Sequence, residues 1–364
     1  MFLRNLWYFA LPSAELAPRA LVRKVLLGEP VLLGRTETGT AFALRDLCPH
    51  RGVPLSAGRL KGKGEAAAGG VCAESAVECP YHGWRFGTDG RCTAIPSLLP
   101  DQGVDISRIR VRNYPVREQQ GLLWVHMGAE GDDRLGEAAQ AAAEPAEPPP
   151  LLPGFGADAR PAFIERMSFA CHVDHAVIGL MDPAHGPFVH RSWWWRSEAS
   201  IHAKAKAFGP APRGFSMLEH APSKNSGAYK LLGGKPTTEI TFSLPGLRTE
   251  LIRIGKNRVL GFTAVTPLED EKTEVTQIFY WTLPWLALIR PFFRPFARSF
   301  LRQDHDMVML QREGLKFNPR LMLINDADMQ AKWYFRLKKD WAEAQERGTP
   351  FVNPVEPVTL RWRS

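Results

Sequence analysis

Two short stretches constrain this chain more than any others: CPHRGVPL, starting at Cys48, and CPYHGWRF, starting at Cys79. Each sets a cysteine and a histidine two or three residues apart. Two thiolates and two imidazoles suit either a zinc ion or an iron–sulfur cluster. Zinc fingers usually keep like ligands together, two Cys and then two His. Here each loop supplies one of each type, which suits a two-iron cluster. Cys48 and Cys79 would hold one iron, and His50 and His82 the other.

The rest of the chain is ordinary in bulk. Its 364 residues allow one or two domains and a sizeable core without disulfides. Five cysteines, an odd number in a long chain, argue against a disulfide framework and for reduced thiols in a cytosol. The net charge of +8 is spread along the sequence, which disfavours nucleic acid and suits a basic face for an acidic protein partner. The opening MFLRNLWYFALPSAEL lacks a long apolar core and a cleavage site. No run of about 18 residues is free of charge and proline, so a cytoplasmic protein without a membrane-spanning helix is expected.

Composition divides the chain in three. Residues 1–128 hold short apolar runs split by turn signals, as in ALVRKVLLGEPVLLGRT and RIRVRNYPVREQQGLLWVHMG, and predict a small all-β sandwich or barrel. Residues 129–155 are rich in Ala, Glu and Pro and read as a linker with a short helix in RLGEAAQAAAE. Residues 156–364 predict a strand leading into a helix at RMSFACHVDHAVIGLMD. Antiparallel strands follow through TTEITFSLPGLRTELIRIG, RVLGFTAVTPLE and TEVTQIFYWTLP, and then two helices, FARSFLRQDHDMVMLQREG and DADMQAKWYFRLKKDWAEAQERG.

The paired loops resemble the Rieske [2Fe–2S] motif, C-x-H followed by C-x-x-H. Arg51-Gly52 and Gly83-Trp84 are similar to the oxygenase type, in which the loops cover the cluster and backbone N–H groups point at its sulfides. Neutral imidazoles in place of two thiolates imply a reduction potential of roughly −150 to +300 mV. The stretch between the loops, LKGKGEAAAGGVCAESAVE, is longer than usual for that family and reads as a flexible insertion. Cys72 within it has no histidine two or three residues on and is not expected to ligate. Cys92, in DGRCTAIPS, is expected to be packed and inert.

A bare electron carrier could stop near residue 128, yet over 200 residues follow. GLMDPAHGPFVHRSWWWR brings Asp182, His185 and His190 together in sequence. Two histidines and one carboxylate hold non-haem Fe(II) with open positions for oxygen and substrate. Five residues on an ideal helix are roughly 140° apart, so the helix must break, and Gly186-Pro187 permits that. The distant FLRQDHDMVMLQ offers Asp304 and Asp306 as the carboxylate. This arrangement is similar to that of Rieske oxygenases, D-x-x-H-x-x-x-x-H and then a late QD. The resemblance assigns Asp304 as the ligand and leaves Asp306 as a solvated charge. It gives Asp182 the task of bridging a cluster histidine of a neighbouring subunit to an iron-ligand histidine. Asp182-Pro183 also reads as a helix N-cap with Pro at the first position. Gly179 stands where some relatives carry Asn. His172, His175 and Asp174 are assigned no metal.

The resemblance is closest to the vanillate and dicamba demethylase group. It implies an α+β chain: an N-terminal all-β Rieske domain and a C-terminal helix-grip (START-like) catalytic domain, with a curved antiparallel sheet around a long helix. It implies a terminal oxygenase that hydroxylates or oxidatively demethylates a hydrophobic aromatic or polycyclic, even sterol-like, substrate. O₂ would be the co-substrate, and electrons would come from NAD(P)H through a reductase, with or without a ferredoxin. Electron transfer between subunits implies a homotrimer. The alternative is a Rieske electron-transfer or redox-sensor protein without oxygenase activity. WTLPWLALIRPFFRPFARSF, residues 281–300, reads as a strand running into a buried helix. Its second reading is a greasy, basic entrance touching a membrane surface, with SWWWR at 192–196 nearby.

Overall fold

The computed structural model describes residues 2–67, 70–99, 101–129, 145–190, 201–222 and 232–364. The SWWWR stretch and the helix expected in RLGEAAQAAAE lie outside them. The chain divides into two compact units, Arg4–Pro150 and Leu151–Ser364, the latter joined by Met1–Leu3.

Among its described residues, the first unit is all β apart from short 3₁₀ turns. Its strands are β1 (Leu6–Pro12), β2 (Leu21–Leu26), β3 (Glu29–Arg35), β4 (Ala41–Arg45), β5 (Arg59–Lys61), β6 (Ala66–Ala67) and β7 (Gly70–Val71). They continue with β8 (Ala76–Glu78), β9 (Arg85–Gly87), β10 (Cys92–Ala94), β11 (Asn113–Tyr114), β12 (Val116–Gln119) and β13 (Leu122–Met127). They form antiparallel sheets ordered β1-β13-β12, β10-β9-β8-β5 and β11-β4-β3-β2, with a small β6-β7 pair. Two-residue turns close β2-β3 at Leu27-Gly28 and β12-β13 at Gln120-Gly121, all four residues with positive φ. That is the turn geometry that matches strand twist. Residues 145–150 pack with this unit, since Trp7 Nε1 donates to Glu147 O at 2.8 Å and Gln119 Nε2 to Pro150 O at 3.1 Å.

The stretch read as a flexible insertion is built differently from that expectation. It forms the β6-β7 hairpin, tied by Gly64 N–H to Cys72 O and Cys72 N–H to Glu65 O. The Gly62 N–H, Lys61 and Arg19 surround the Glu65 carboxylate and hold its pKa down to about 2. Charged residues of the stretch, with Arg19, fasten it.

The second unit carries β14 (Phe163–Phe169), α1 (Val173–Met181), α2 (Gly186–Val189), β15 (Ala203–Ala211), β16 (Gly214–His220), β17 (Thr237–Ser243) and β18 (Leu247–Ile254). Then come β19 (Asn257–Glu269), β20 (Lys272–Trp281), α3 (Trp285–Leu315), α4 (Met329–Arg347) and β21 (Val358–Arg363). The strands make one antiparallel sheet, ordered β14-β20-β19-β18-β17-β16-β15-β21. Helix α3 packs on β14, and α1 packs on α3, α4, β19 and β20. The expected α+β class, all-β first and antiparallel sheet with helices second, is what the chain adopts. Gly348, with φ +63°, ends α4 as a left-handed cap.

Helix α3 starts eleven residues before the Phe296 expected from the sequence, and it contains Pro291 and Pro295. Each proline removes an N–H from the helical ladder. The carbonyls so freed belong to Ala287 and Pro291, both exposed, where water can serve them. Residues 281–300 do run from the end of β20 into a helix, but one face of that helix is not buried: Leu288 and Phe292 are 79% and 70% exposed.

Candidate metal centres

In the first unit, the two Cys–His loops have the same hydrogen-bond closure. Cys48 N–H donates to Val53 O and Gly52 N–H to Cys48 O, both at 2.8 Å. Likewise, Cys79 N–H donates to Trp84 O at 2.8 Å and Gly83 N–H to Cys79 O at 3.1 Å. Gly52 and Gly83 occupy equivalent places with φ +68° and +70°, a region that glycine reaches without steric cost. The different Cys–His spacings therefore sit within one repeated loop.

The loops bring like groups together. The Cys48 and Cys79 thiols are buried and hydrogen-bonded to each other. Burial, despite the amides of His50 and Arg51, pushes the Cys48 thiol up to about 11, and the neighbouring Cys79 adds to the rise. The His50 and His82 rings lie 4.5 Å apart, centroid to centroid, and Trp84 stacks on His50 at 4.7 Å. Burial, then the charges of His50 and Arg51, lower the pKa of His82 and favour the neutral, ligating form. The Trp84 Nε1–H is buried with no partner among the described residues. A thiol pair, an imidazole pair and nearby amide donors fit a cluster with two sulfur-bound and two nitrogen-bound ligand positions. Cys92 is buried, with its thiol pushed up to about 11 by burial, as an inert packed cysteine would be. Cys72 is buried too.

The second unit holds a separate constellation. His185 Nε2 lies 3.2 Å from His190 Nε2 and 3.5 Å from Asp304 Oδ1, and His190 Nε2 lies 3.2 Å from Asp304 Oδ1. Ligand atoms about 2.1 Å from one metal and at right angles to each other stand about 3 Å apart. The three atoms therefore have the spacing of adjacent coordination positions. The helix break expected between the histidines is present: His185 N-caps the single turn α2, and His190 ends it. Asp304 comes from α3 and is 7% exposed. Asp306, two residues on and so roughly on the opposite face of the helix, is exposed and pairs with His305.

Both imidazoles are fixed through their other nitrogen. His185 Nδ1–H donates to the Asp182 carbonyl at 2.7 Å, and His190 Nδ1–H to Gln303 Oε1 at 3.0 Å. Such contacts choose the tautomer and leave Nε2 free to ligate. Gln303 carries no role in the sequence reading; its only signal was adjacency to Asp304. Phe300 stacks on His190 with centroids 3.6 Å apart. Burial opposes charge on both sides, but mutual attraction wins, so the His185 pKa is raised and the Asp304 carboxyl lowered.

Asp182 does not N-cap a following helix. It ends α1, its Oδ1 accepting the Ala184 N–H at 2.7 Å, and α2 begins only at Gly186. The side chain closes a local turn because the chain must bend to aim His185 inward. Burial raises its pKa. His172 N-caps α1, with its Nδ1 accepting the Asp174 N–H. Asp174 is bound by Tyr334 and Lys338. Gly179 faces Val308 of α3, and a Cβ there would stand in ordinary contact, 3.6 Å from Val308 Cγ2.

A cavity of about 450 Å³ opens beside the constellation and is lined by Asp182, His185, His190 and Asp304. Its walls are mostly apolar: Met217, Ile240 and Ile252 from the sheet, with Ile289, Phe293 and Phe300 from α3.

The Rieske [2Fe-2S] domain family matches residues 6–115. Dicamba O-demethylase, oxygenase component, of Stenotrophomonas maltophilia is 29% identical over 275 residues, covering 73% of this chain and 69% of that protein. The chloroplastic chlorophyllide a oxygenase of Chlamydomonas reinhardtii is 36% identical over 197 residues, 53% of this chain but only 25% of the relative's length. A crystal structure of dicamba monooxygenase with non-heme iron and dicamba aligns over 95% of this chain and 99% of its own, with TM-score 0.68 and 20% identity, and so shares the fold. The chain carries a Rieske [2Fe–2S] domain and is homologous to dicamba O-demethylase and other oxygenase components of Rieske non-haem iron systems.

Proposed function

We propose that this chain is the terminal oxygenase of a Rieske system. The observation that carries the proposal is the convergence of His185, His190 and Asp304 on the wall of an apolar cavity. An electron carrier needs neither feature, and homology to oxygenase components supports the same choice. Cys48, Cys79, His50 and His82 would hold the [2Fe–2S] cluster, and His185, His190 and Asp304 a mononuclear Fe(II). When bound, these groups supply single electrons and the activation of O₂. The protein's own part is positional. The Asp182 carbonyl and Gln303 hold both Nδ1 protons away from the metal position. The α3 aromatics and the sheet exclude water around a hydrophobic substrate.

In this reading the substrate is an aromatic or polycyclic compound, hydroxylated or oxidatively demethylated, and a reductase or ferredoxin supplies electrons from NAD(P)H. Asp182 would bridge, by hydrogen bonds, a cluster histidine of an adjacent protomer to the His185 that would ligate iron, in a head-to-tail homotrimer. An Asp182→Asn variant keeps the hydrogen-bond acceptor for Ala184. It should retain full iron and lose most of its turnover; unchanged turnover would refute the bridge.

The experiment for the activity uses a surrogate reductase and isotopically labelled O₂ over a panel of aromatic ethers and sterol-like compounds. Labelled product, abolished by Asp304→Ala, is expected. Product that persists in that variant would overturn the assignment.

No helix among the described residues is long and apolar enough to cross a membrane. Peripheral contact has one supporting observation. Leu288, Phe292 and Phe296 are exposed on α3 beside exposed Arg290, Arg294, Arg298 and Arg302. Apolar and cationic residues in that order suit a helix lying in an anionic lipid interface.

A further inference from the structure

The two ligand loops of the first unit leave different sheets. The Cys48 loop follows β4, in the β11-β4-β3-β2 sheet, and the Cys79 loop follows β8, in the β10-β9-β8-β5 sheet. Each loop closes on itself, and neither closure fixes its distance from the other. The segment from Leu55 to Lys61 runs from one sheet to the other. It begins as the 3₁₀ turn Leu55–Ala57, passes Gly58 and becomes β5, which pairs with β8. Leu55 is fully buried in the core that also holds Cys48 and Cys79.

A carboxylate at the base of each loop ties this segment down. Asp46, two residues before Cys48 and fully buried, accepts the Ser56 N–H on Oδ1 at 2.7 Å and the Ser56 hydroxyl on Oδ2 at 2.6 Å. Glu78, the residue before Cys79, accepts the Arg59 Nε–H on Oε1 at 2.8 Å and the Arg85 Nε–H on Oε2 at 3.1 Å. Arg85 directly follows Trp84, whose carbonyl accepts the Cys79 N–H. Ser56 and Arg59 are three residues apart, with Gly58 between them. A Cβ at Gly58 would stand 2.0 Å from the Glu78 carbonyl oxygen, so only glycine lets the segment lie this close to β8.

We propose that Ser56 and Arg59 are positioning residues for the cluster site, and that the segment joining them is a strap setting the separation of the two ligand loops. The thiol pair and the imidazole pair each take one member from each loop, so a change in that separation alters both pairs at once. The strap works in series. Asp46 holds it at Ser56 and Glu78 holds it at Arg59, and releasing either end slackens the whole. This rests on the reading of Cys48, His50, Cys79 and His82 as cluster ligands, and it adds residues outside that ligand set.

The test compares Ser56→Ala, Arg59→Met and the double variant in the full-length, cluster-loaded protein. Neither single change strips a carboxylate of its partners: Asp46 keeps the Ser56 amide and Arg23 at 3.6 Å, and Glu78 keeps Arg85. Decay of the cluster's visible absorbance in excess iron chelator gives its half-life. Each single substitution should shorten it about 3- to 10-fold, as the loss of one net hydrogen bond implies. The double variant should be no worse than the poorer single, because a strap cut once is already slack. Independent effects would multiply to about 10- to 100-fold. Ser56→Thr, which keeps the hydroxyl, should hold the wild-type half-life. EPR g values of the reduced cluster should move in both single variants, which a general loss of fold stability would not produce. Multiplied losses, unchanged half-lives, unchanged g values, or a Ser56→Thr loss as large as that of Ser56→Ala would overturn the strap. A wild-type protein without a Rieske spectrum would instead defeat the cluster reading itself.

Discussion

His190 gives its Nδ1 proton to Gln303 Oε1, and that contact decides which nitrogen faces Asp304. Gln303→Leu should lower iron affinity by about 10- to 100-fold, the usual cost of losing such a support. Metal analysis of dialysed protein checks it, with cluster absorbance as the control for folding; undiminished iron would remove Gln303 from the account. Gly52 and Gly83 offer a second comparison. Both need positive φ, so alanine at either costs about 1–2 kcal/mol. A Cβ at Gly83 also meets Pro96 Cγ at 3.3 Å, while one at Gly52 meets nothing within 4 Å. Gly83→Ala should therefore reduce cluster retention and melting temperature more than Gly52→Ala, and equal losses would contradict the packing argument. At this scale the sequence was uneven as a guide. The metal-type residues stood out because Cys and His are few and their spacing is informative. The AKAKA stretch of β15 gave no reading, and there the sheet turns its alanines out and its lysines in.

At the scale of elements, one half-buried carboxylate fastens two helices. Asp174 of α1 accepts from Tyr334 Oη at 2.6 Å and from Lys338 Nζ at 2.6 Å, both on α4. Burial alone would raise its pKa, but Lys338 and Tyr334 outweigh it and hold the carboxyl below the ordinary range. This stabilisation is fully present above the unfolded value of about 3.9 and is lost as pH falls through the lower folded value. Asp174→Asn should destabilise by about 2 kcal/mol at neutral pH. In melts across pH, its gap from wild type should narrow below about pH 4, and a constant gap down to pH 3 would contradict the assignment. Helix α3 carries a different expectation. Replacing both Leu288 and Phe292 with Asp should abolish co-sedimentation with anionic liposomes and leave iron content unchanged. Equal sedimentation of variant and parent, or none by either, would sink the membrane reading. The strands β17 to β20 alternate clearly and were legible. The strands β15, β16 and β21 were not, because Ala, Lys and Gly give weak strand signals and the sheet's long-range pairing supplies their order. The start of α3 was hidden by prolines that an exposed helix face tolerates.

The whole molecule comprises two units that divide between Pro150 and Leu151, inside the stretch 129–155 read as a linker. Local loop chemistry made the first site readable, since both ligand pairs lie within short loops that close in the same way. The second site was half readable. His185 and His190 are near in sequence, but Asp304 arrives from α3 more than a hundred residues later, and only a family pattern preferred it over Asp306. Substrate selection stayed hidden because it depends on which strand faces meet across the cavity. The central claim is that the protein holds one iron beyond its cluster, at His185, His190 and Asp304. Counting iron against acid-labile sulfide in the purified protein tests this most directly. About three irons for two sulfides are expected, falling to about two for two in Asp304→Ala with the cluster spectrum unchanged. About two irons for two sulfides in the wild-type protein, under iron-replete conditions, would contradict it and return the chain to electron transfer alone.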